Sequence, residues 1–320
     1  MIKYALVFPG QGAQEVGMGA KLFESFSSAR DVFNEVDDTL NFALSRIIFE
    51  GPEEELKLTA FAQPAILAVS IASLRVLQNE ILGKDFQIPS ISAGHSLGEY
   101  TALVAADSLS LRDGALLVHL RGKWMQEAVP EGRGAMYALI GIEPEEIIKV
   151  CAEVAPNAEC QAANYNSPGQ IVISGETSYV EKAVDMAKQR GAKKSVKLNV
   201  SAPFHSQLMR PVADKLSSQF EKCKWSSPKF PIVSNAWAKP VSKIEDIHKM
   251  LYEQTYSPVL WQNSILEMSN NGIENYLELG PGNVLSGLIK RCQKGLNCIS
   301  AGTPESLHSV ADFFNVKEDD

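Results

Sequence analysis

The sequence predicts an α/β protein. A large domain built on a parallel sheet, residues 1–129 and 201–320, is interrupted by a small ferredoxin-like βαββαβ domain over 130–200. Three features carry that expectation. The chain opens on the apolar run Tyr4-Ala5-Leu6-Val7-Phe8, which stops at the turn Pro9-Gly10. A second short run, Ile91-Ser92-Ala93, passes through Gly94-His95-Ser96-Leu97-Gly98 into helix-favouring residues from Glu99 to Ala105. Strands alternating with helices in this way indicate a parallel sheet covered on both faces. From Gly134 the order changes to β-α-β-β-α-β, the signature of a ferredoxin-like unit.

Taken in order, the opening run reads as a buried strand; with one positive charge and an early stop it is too short for a secretion signal. After Pro9-Gly10-Gln11-Gly12-Ala13-Gln14, residues Met18, Leu22, Phe23 and Phe26 recur at helical spacing. An apolar helix is predicted over 63–82, started by Pro64 and carrying Ile66, Leu67, Ser70, Ile71 and Leu74. No stretch is expected to supply the roughly 20 apolar residues that span a bilayer. A further helix is predicted over 113–128. In the small domain the spacing predicts strands over 135–140, 159–165, 170–175 and 194–200, with helices over 143–152, opened by Pro144, and 178–190, closed by Gly191. Turn chemistry at 129–134 and 201–204 bounds it. The large domain then resumes with helices over 206–220 and 258–270, strands at 232–234 and 276–279, a last helix from Val284, and a charged, frayed tail over 317–320.

Composition narrows the function. The chain is 45% hydrophobic with 16 prolines, as in a globular enzyme. Its net charge of −8 argues against nucleic acid as the main partner, because phosphate binding relies on clustered Lys and Arg. Five cysteines, an odd number without C-x-x-C spacing, read as reduced and structural in a cytoplasmic protein.

The pentapeptide at 94–98 has the form G-x-S-x-G between a strand and a helix, the setting of a nucleophile elbow. A turn this tight crowds side chains on either side of the serine, so both flanks are glycine. Free N–H groups at the following helix N-terminus suit an oxyanion. A serine needs a base, and there are five histidines. His95 adjoins Ser96 in the elbow and points away from it. His119, His248 and His308 read as surface or internally satisfied. His205 remains, after the turn Ala202-Pro203-Phe204 and at the domain junction, where clefts form. No acidic residue stands out as the group that orients it, and a backbone or amide carbonyl could accept its Nδ1–H without carrying charge. Arg121 lies at helical spacing from Leu117, Val118, Trp124 and Met125. A cation on such a face requires an anionic partner, either a protein carboxylate or a substrate carboxylate held by the guanidinium fork.

Several blocks together resemble one family: Pro9-Gly10-Gln11-Gly12-Ala13-Gln14, Gly94-His95-Ser96-Leu97-Gly98-Glu99-Tyr100, Arg121-Gly122 with Met125, Asn164-Tyr165-Asn166-Ser167-Pro168-Gly169-Gln170, Pro203-Phe204-His205-Ser206, Gln254 with Pro258-Val259 and Trp261, and Glu278-Leu279-Gly280-Pro281-Gly282. They run in the order found in the malonyl-CoA:acyl carrier protein transacylases of type II fatty acid synthesis. The resemblance implies an α/β-hydrolase-like large domain with a ferredoxin-like insertion. It implies Ser96 as nucleophile, His205 as base, and Gln254 as the residue whose main-chain carbonyl orients the histidine. Gln11 and Leu97 supply the oxyanion-hole N–H groups, and Arg121 grips the malonyl carboxylate. Phe204 crowds a branched acyl group, and Met125 belongs to the substrate-binding set. No metal or redox cofactor is implied, only the coenzyme A thioester and the phosphopantetheine of the carrier. The implied partners are malonyl-CoA and an acidic acyl carrier protein, docking through Lys290, Arg291 and Lys294 or, alternatively, Arg190, Lys193 and Lys194. Neither nucleic acid nor membrane is expected, and a cytoplasmic monomer is. Rival readings are an acyltransferase of a polyketide pathway, a serine esterase or thioesterase, which would show an acidic triad member and often an HGGG loop, and a carrier-docking module without chemistry.

Overall fold

Alternate residues of the first strand, β1 (Tyr4–Phe8), enter two different apolar clusters: Tyr4, Leu6 and Phe8 one, Ala5 and Val7 the other. A strand with no polar face belongs in the middle of a covered parallel sheet. The computed structural model describes residues 2–130, 132–200 and 202–314. After β1 come α1 (Ala20–Ser25), α2 (Ser27–Leu40), α3 (Leu44–Glu50), α4 (Glu53–Leu56), α5 (Thr59–Val76), β2 (Ile91–Gly94), α6 (Leu97–Ala105) and α7 (Leu111–Glu127). The insertion follows with β3 (Gly134–Ile140), α8 (Pro144–Val154), β4 (Cys160–Ser167), β5 (Gln170–Glu176), α9 (Thr177–Gln189) and β6 (Lys194–Lys197). The chain returns through α10 (Arg210–Phe220), β7 (Ile232–Val233), β8 (Pro240–Val241), α11 (Ile244–Gln254), α12 (Trp261–Asn270), β9 (Asn275–Leu279), α13 (Val284–Cys292), β10 (Asn297–Ala301), α14 (Pro304–His308) and α15 (Val310–Phe313).

The large sheet has the order β10-β9-β1-β2-β7-β8, parallel except for the β7-β8 edge. From β1 the chain builds β2 on one side and β9 on the other, so the carboxyl end of β1 is a topological switch point, where α/β sheets bind ligands. The small sheet, β4-β5-β3-β6, is antiparallel throughout and packs α8 and α9 on one face around its own core. Its other face contributes Met136, Ala138 and Val172 to the main core. The two sheets are also joined by backbone: Val259 N–H donates to Ala163 O (2.8 Å) and accepts at its own carbonyl from Tyr165 N–H (2.9 Å). That exchange fixes Val259 in a β-bridge, so α12 starts at Trp261 rather than at Pro258 as expected.

Other expectations also change. The apolar helix starts at Thr59, and Pro64 lies inside it. Proline cannot bond the carbonyl four residues back, but that carbonyl, Ala60 O, is taken by His119 Nδ1–H of α7 at 2.8 Å. The stretch Thr59–Ile81, 23 residues, is long and apolar enough to cross a bilayer, contrary to expectation; 83% of its apolar window is buried inside the fold, where it acts as the core helix. The helix from Val284 is followed by β10, α14 and α15, and a short 3₁₀ turn precedes α10. Helices α2 to α4, strand β8 and helix α11 were not expected. All five cysteines are free thiols, with the Cys151 and Cys160 sulfurs 3.8 Å apart in the small core. The tail at 317–320 lies outside the described residues.

Candidate active site

The strand-to-helix turn after β2 is sterically closed. A Cβ on Gly94 would lie 1.9 Å from Gly98 O, and one on Gly98 would lie 2.3 Å from Phe8 O. Ser96 takes φ +54°, a conformation L residues avoid, and this throws its side chain clear of the sheet at the head of α6. Its N–H is held by Asn235 Oδ1 (2.7 Å), while Asn235 Nδ2 donates to Gly94 O (2.7 Å). Leu97, as the first residue of α6, has an N–H with no acceptor inside the helix. The loop after β1 presses on the same turn: a Cβ on Gly10 would meet His95 O at 2.6 Å. Gln11 follows it on the cleft wall, its Nε2 donating to Thr59 Oγ1 (3.3 Å).

His205 meets Ser96 from the other side of the cleft. Its Nε2 lies 2.8 Å from Ser96 Oγ and its Nδ1 2.8 Å from Gln254 O. A carbonyl can only accept, so Nδ1 carries the hydrogen and Nε2 is the acceptor for the serine hydroxyl. His205 also has positive φ, +56°, and its carbonyl receives Gln161 Nε2 at 3.1 Å. Burial, then the nearby Arg121 charge, push its imidazole down to about 3. The ring is therefore neutral at pH 7 and free to take a proton.

Arg121 is 1% exposed. It donates to Gln63 Oε1 (2.8 Å), Ser96 Oγ (3.0 Å) and Gln254 Oε1 (2.9 Å), and its Cζ lies 5.7 Å from the centre of the Tyr100 ring. Its Nε has no partner among the described residues. No carboxylate of the described residues touches it. The nearest acid is Glu99, fully buried, whose two oxygens accept from Asn235 N–H (2.8 Å) and Gln254 Nε2 (2.6 Å). Burial pushes the Glu99 carboxyl up to about 8, against the pull of those donors and of Arg121.

These groups open on a cleft of about 440 Å³ between the carboxyl ends of the parallel strands and the small sheet. Gln11, Ser96, Arg121, Phe204 and His205 all line it, together with His95, whose Nε2 is tied to Asn166 Oδ1 at 2.9 Å. His95 thus points away from Ser96 as expected, yet remains in the cleft wall. Met125, expected at the substrate, does not line the cleft: it is 1% exposed and sits behind Gln63, whose Nε2 approaches its sulfur at 3.9 Å. One helical turn from Arg121, it faces the core. His119 is internally satisfied, His308 is exposed, and His248 packs on Trp225 with its buried Nε2 unpartnered among the described residues. The fourth cleft wall is α13, whose first turn is held by the Glu278 carboxylate through Leu285 N–H (3.0 Å) and Ser286 N–H (2.8 Å). Lys290 and Arg291 are exposed on α13, Arg291 at the cleft rim and bonded to Gln170 Oε1 (3.1 Å). Lys294 lies beyond the end of that helix rather than on it. In the alternative cluster, Arg190 is committed to Glu146 and Glu153.

Glu99, Asn235, Gln161 and Gln63 were not singled out from the sequence. Glu99 alone carried a usable signal, as the one charged residue of an otherwise buried helix.

Comparison with known proteins agrees with this geometry. The acyl transferase domain family matches residues 5–307. The chain is 44% identical to the malonyl CoA-acyl carrier protein transacylase of Bacillus subtilis (strain 168), covering 100% of this chain and 99% of that protein. It is 42% identical to that of Escherichia coli (strain K12), covering 98% and 100%. The acyl-carrier-protein S-malonyltransferase structure from Bartonella henselae superposes with a TM-score of 0.94 at 45% identity, over 98% of this chain and 100% of that one. A malonyl-transacylase solved in complex with its type II PKS acyl-carrier protein superposes with a TM-score of 0.93 at 44% identity, over 97% and 99%. The chain belongs to the acyl transferase domain family and, within it, to the malonyl CoA-acyl carrier protein transacylase family.

Proposed function

We propose that this protein moves the malonyl group from malonyl-CoA to the phosphopantetheine thiol of an acyl carrier protein through a malonyl ester on Ser96. The observation that carries the reading is the chain Gln254 O, His205, Ser96 Oγ, with 2.8 Å at each step, beside a buried guanidinium. Ser96 Oγ attacks the thioester carbonyl as its proton passes to His205 Nε2. The oxyanion accepts from the Gln11 and Leu97 N–H groups. Collapse breaks the C–S bond, and His205 returns the proton to the departing coenzyme A sulfur. In the second half the carrier thiol gives its proton to His205 and attacks the ester, and Ser96 Oγ leaves and recovers that proton. Arg121 pairs with the malonyl carboxylate, and Phe204, on the cleft wall, limits the width of the acyl group.

Addition and collapse need a nucleophile, a base and N–H donors, so no cofactor beyond the two thioesters takes part in this scheme. A main-chain carbonyl in place of an acid, and Arg121 beside the serine, favour transfer of a carboxylated acyl group over general esterase chemistry. The carrier is acidic, meets Lys290, Arg291 and Lys294 near the cleft rim, and belongs to fatty acid synthesis. A polyketide carrier is the second reading, favoured by the similar malonyl-transacylase solved with one. The protein works as a cytoplasmic monomer, with its domains divided at 129/130 and 200/201, which leaves all four strands of the small sheet in one domain. Intact-mass measurement after brief mixing with malonyl-CoA tests the reading: one malonyl adduct is expected on the native protein and none on Ser96→Ala. An adduct that survives the substitution, or maps to a cysteine, overturns it.

A further inference from the structure

Glu99 occupies the third position of α6, with Ser96 as its N-cap. A glutamate there commonly turns back to the N-cap N–H. In this chain the Ser96 N–H goes to Asn235 Oδ1 instead, and the Glu99 carboxylate is turned to the Asn235 N–H and the Gln254 side chain. Both hydrogens of Gln254 Nε2 are thereby used, one on Glu99 Oε2 (2.6 Å) and one on Ser96 O (2.7 Å). With two acceptors on its nitrogen side, the amide can stand only one way, and its oxygen faces Arg121 Nη2 at 2.9 Å. The same residue's main-chain carbonyl holds His205.

We infer that Glu99 is a positioning residue for acyl selection: by fixing the orientation of the Gln254 amide it holds the Arg121 guanidinium beside Ser96. The inference rests on the malonyl reading above. Glu99→Gln is nearly isosteric, yet its carboxamide must accept from the Asn235 N–H and so presents its NH₂ to the Gln254 NH₂. Two donors cannot face each other. If the Gln254 amide flips, its NH₂ meets the Arg121 donors and its oxygen meets Ser96 O; if it withdraws, Arg121 loses an acceptor. In either case the change reaches the guanidinium before it reaches the Ser96–His205 pair.

The experiment compares kcat/KM for malonyl-CoA and acetyl-CoA in the native protein, Glu99→Gln and Glu99→Asp, with thermal unfolding as the check on folding. In Glu99→Gln the malonyl-to-acetyl ratio should fall about ten- to a hundredfold, the effect of depriving a charged donor of its partner. Most of the fall should appear in KM for malonyl-CoA. Glu99→Asp, which keeps the carboxyl acceptors but draws them back by one methylene, should shift the ratio in the same direction by less. An unchanged ratio, whether both activities drop together or neither does, overturns the role of Glu99. So does failure of both variants to fold, which would make the residue structural. The native protein run alongside separates the two readings. If it takes no malonyl onto Ser96, the transferase reading itself is refuted, whereas native turnover with unchanged selectivity in Glu99→Gln refutes only the part given to Glu99.

Discussion

Replacing Arg121 with alanine tests selection for a carboxylated acyl group most directly. The side chain is buried and donates to Gln63, Ser96 Oγ and Gln254. Removing one partner of a buried charge pair typically costs about 3–5 kcal/mol, which is roughly two to four powers of ten in rate. That whole loss falls on malonyl-CoA, because among the cations lining the cleft, Lys57, Arg121 and Arg291, it is Arg121 that bonds Ser96. Acetyl-CoA has no carboxylate to lose. It forfeits the donation to Ser96 Oγ and the support of the Gln254 amide, of which the first, a hydrogen bond from a charged group, is worth about 1.5–3 kcal/mol. Arg121→Ala should therefore lower kcat/KM for malonyl-CoA by at least about a hundredfold more than for acetyl-CoA, whose own fall should stay within roughly one to two powers of ten. Arg121→Lys should recover only part of the difference, since one ammonium cannot reproduce a planar fork that spans Gln63 and Gln254. Rapid-quench intact mass at subsaturating donor reads both constants on the same protein. Parallel decline of the two donors would show Arg121 to be structural and refute this account of specificity.

Gly94→Ala should abolish acylation of Ser96 and lower the unfolding temperature, because the added Cβ would lie 1.9 Å from a backbone oxygen that cannot move aside; a normal melt with full acylation would contradict the elbow sterics. His205, pushed down to about 3 by burial and Arg121, should keep the acid limb of acylation well below the ordinary histidine value of 6.5. The same depressed value means that its contribution to stability is complete above 6.5 and is lost as pH falls toward 3, where the unfolded chain binds the proton first. A kcat/KM profile that bends near 6.5 would rule this out. Charge reversal at Lys290 and Lys294 should raise KM for the carrier severalfold while malonyl acylation by malonyl-CoA continues at the native rate, screened away at high salt; equal loss of both half-reactions would count against docking there.

What could be read from the sequence was local or sterically forced. Gly94 and Gly98 are visible because no other residue fits, and the apolar runs at 4–8 and 91–93 are visible because a strand covered on both faces has no polar positions. His205 could be reached by elimination and by its place at the junction. Boundaries failed where a tertiary contact overrode a local signal. Pro64 marks a helix start only if the carbonyl of Ala60 is orphaned, and His119, 59 residues away, bonds it. Pro258 marks one only if 258–260 is free, and a strand of the small sheet pairs with it. Met125 was assigned by resemblance alone, and one helical turn separates the wall of the cleft from the core behind it. The Glu99–Asn235–Gln254 set joins residues 136 and 155 apart in sequence, so no pattern announces it. Glu99 in α6 is, like Arg121 in α7, a charge among apolar helical neighbours, and is as visible in the sequence.

The missing acid is tied to the chemistry. A carboxylate behind His205 would stabilise the imidazolium and raise its basicity, as an amide-cleaving enzyme needs in order to protonate a poor leaving group. The departing group here is a thiol sulfur, for which a cysteine's ordinary value is near 8.5; it needs far less help from a proton than an amine does, so a weak base and a weak demand for protonation are matched. Gln254 O orients the ring without adding charge; burial lowers its basicity most and the Arg121 guanidinium lowers it further. Under the proposed reading, a malonyl carboxylate on that guanidinium cancels part of its field at His205 when the acyl group is the right one, while burial, the larger cause, still holds the ring down. Acetyl leaves the field uncompensated. Selection and activation then act through the same cation, which is why the amide that holds Arg121 and the carbonyl that holds His205 belong to one residue, and why a buried glutamate is set to hold that residue still.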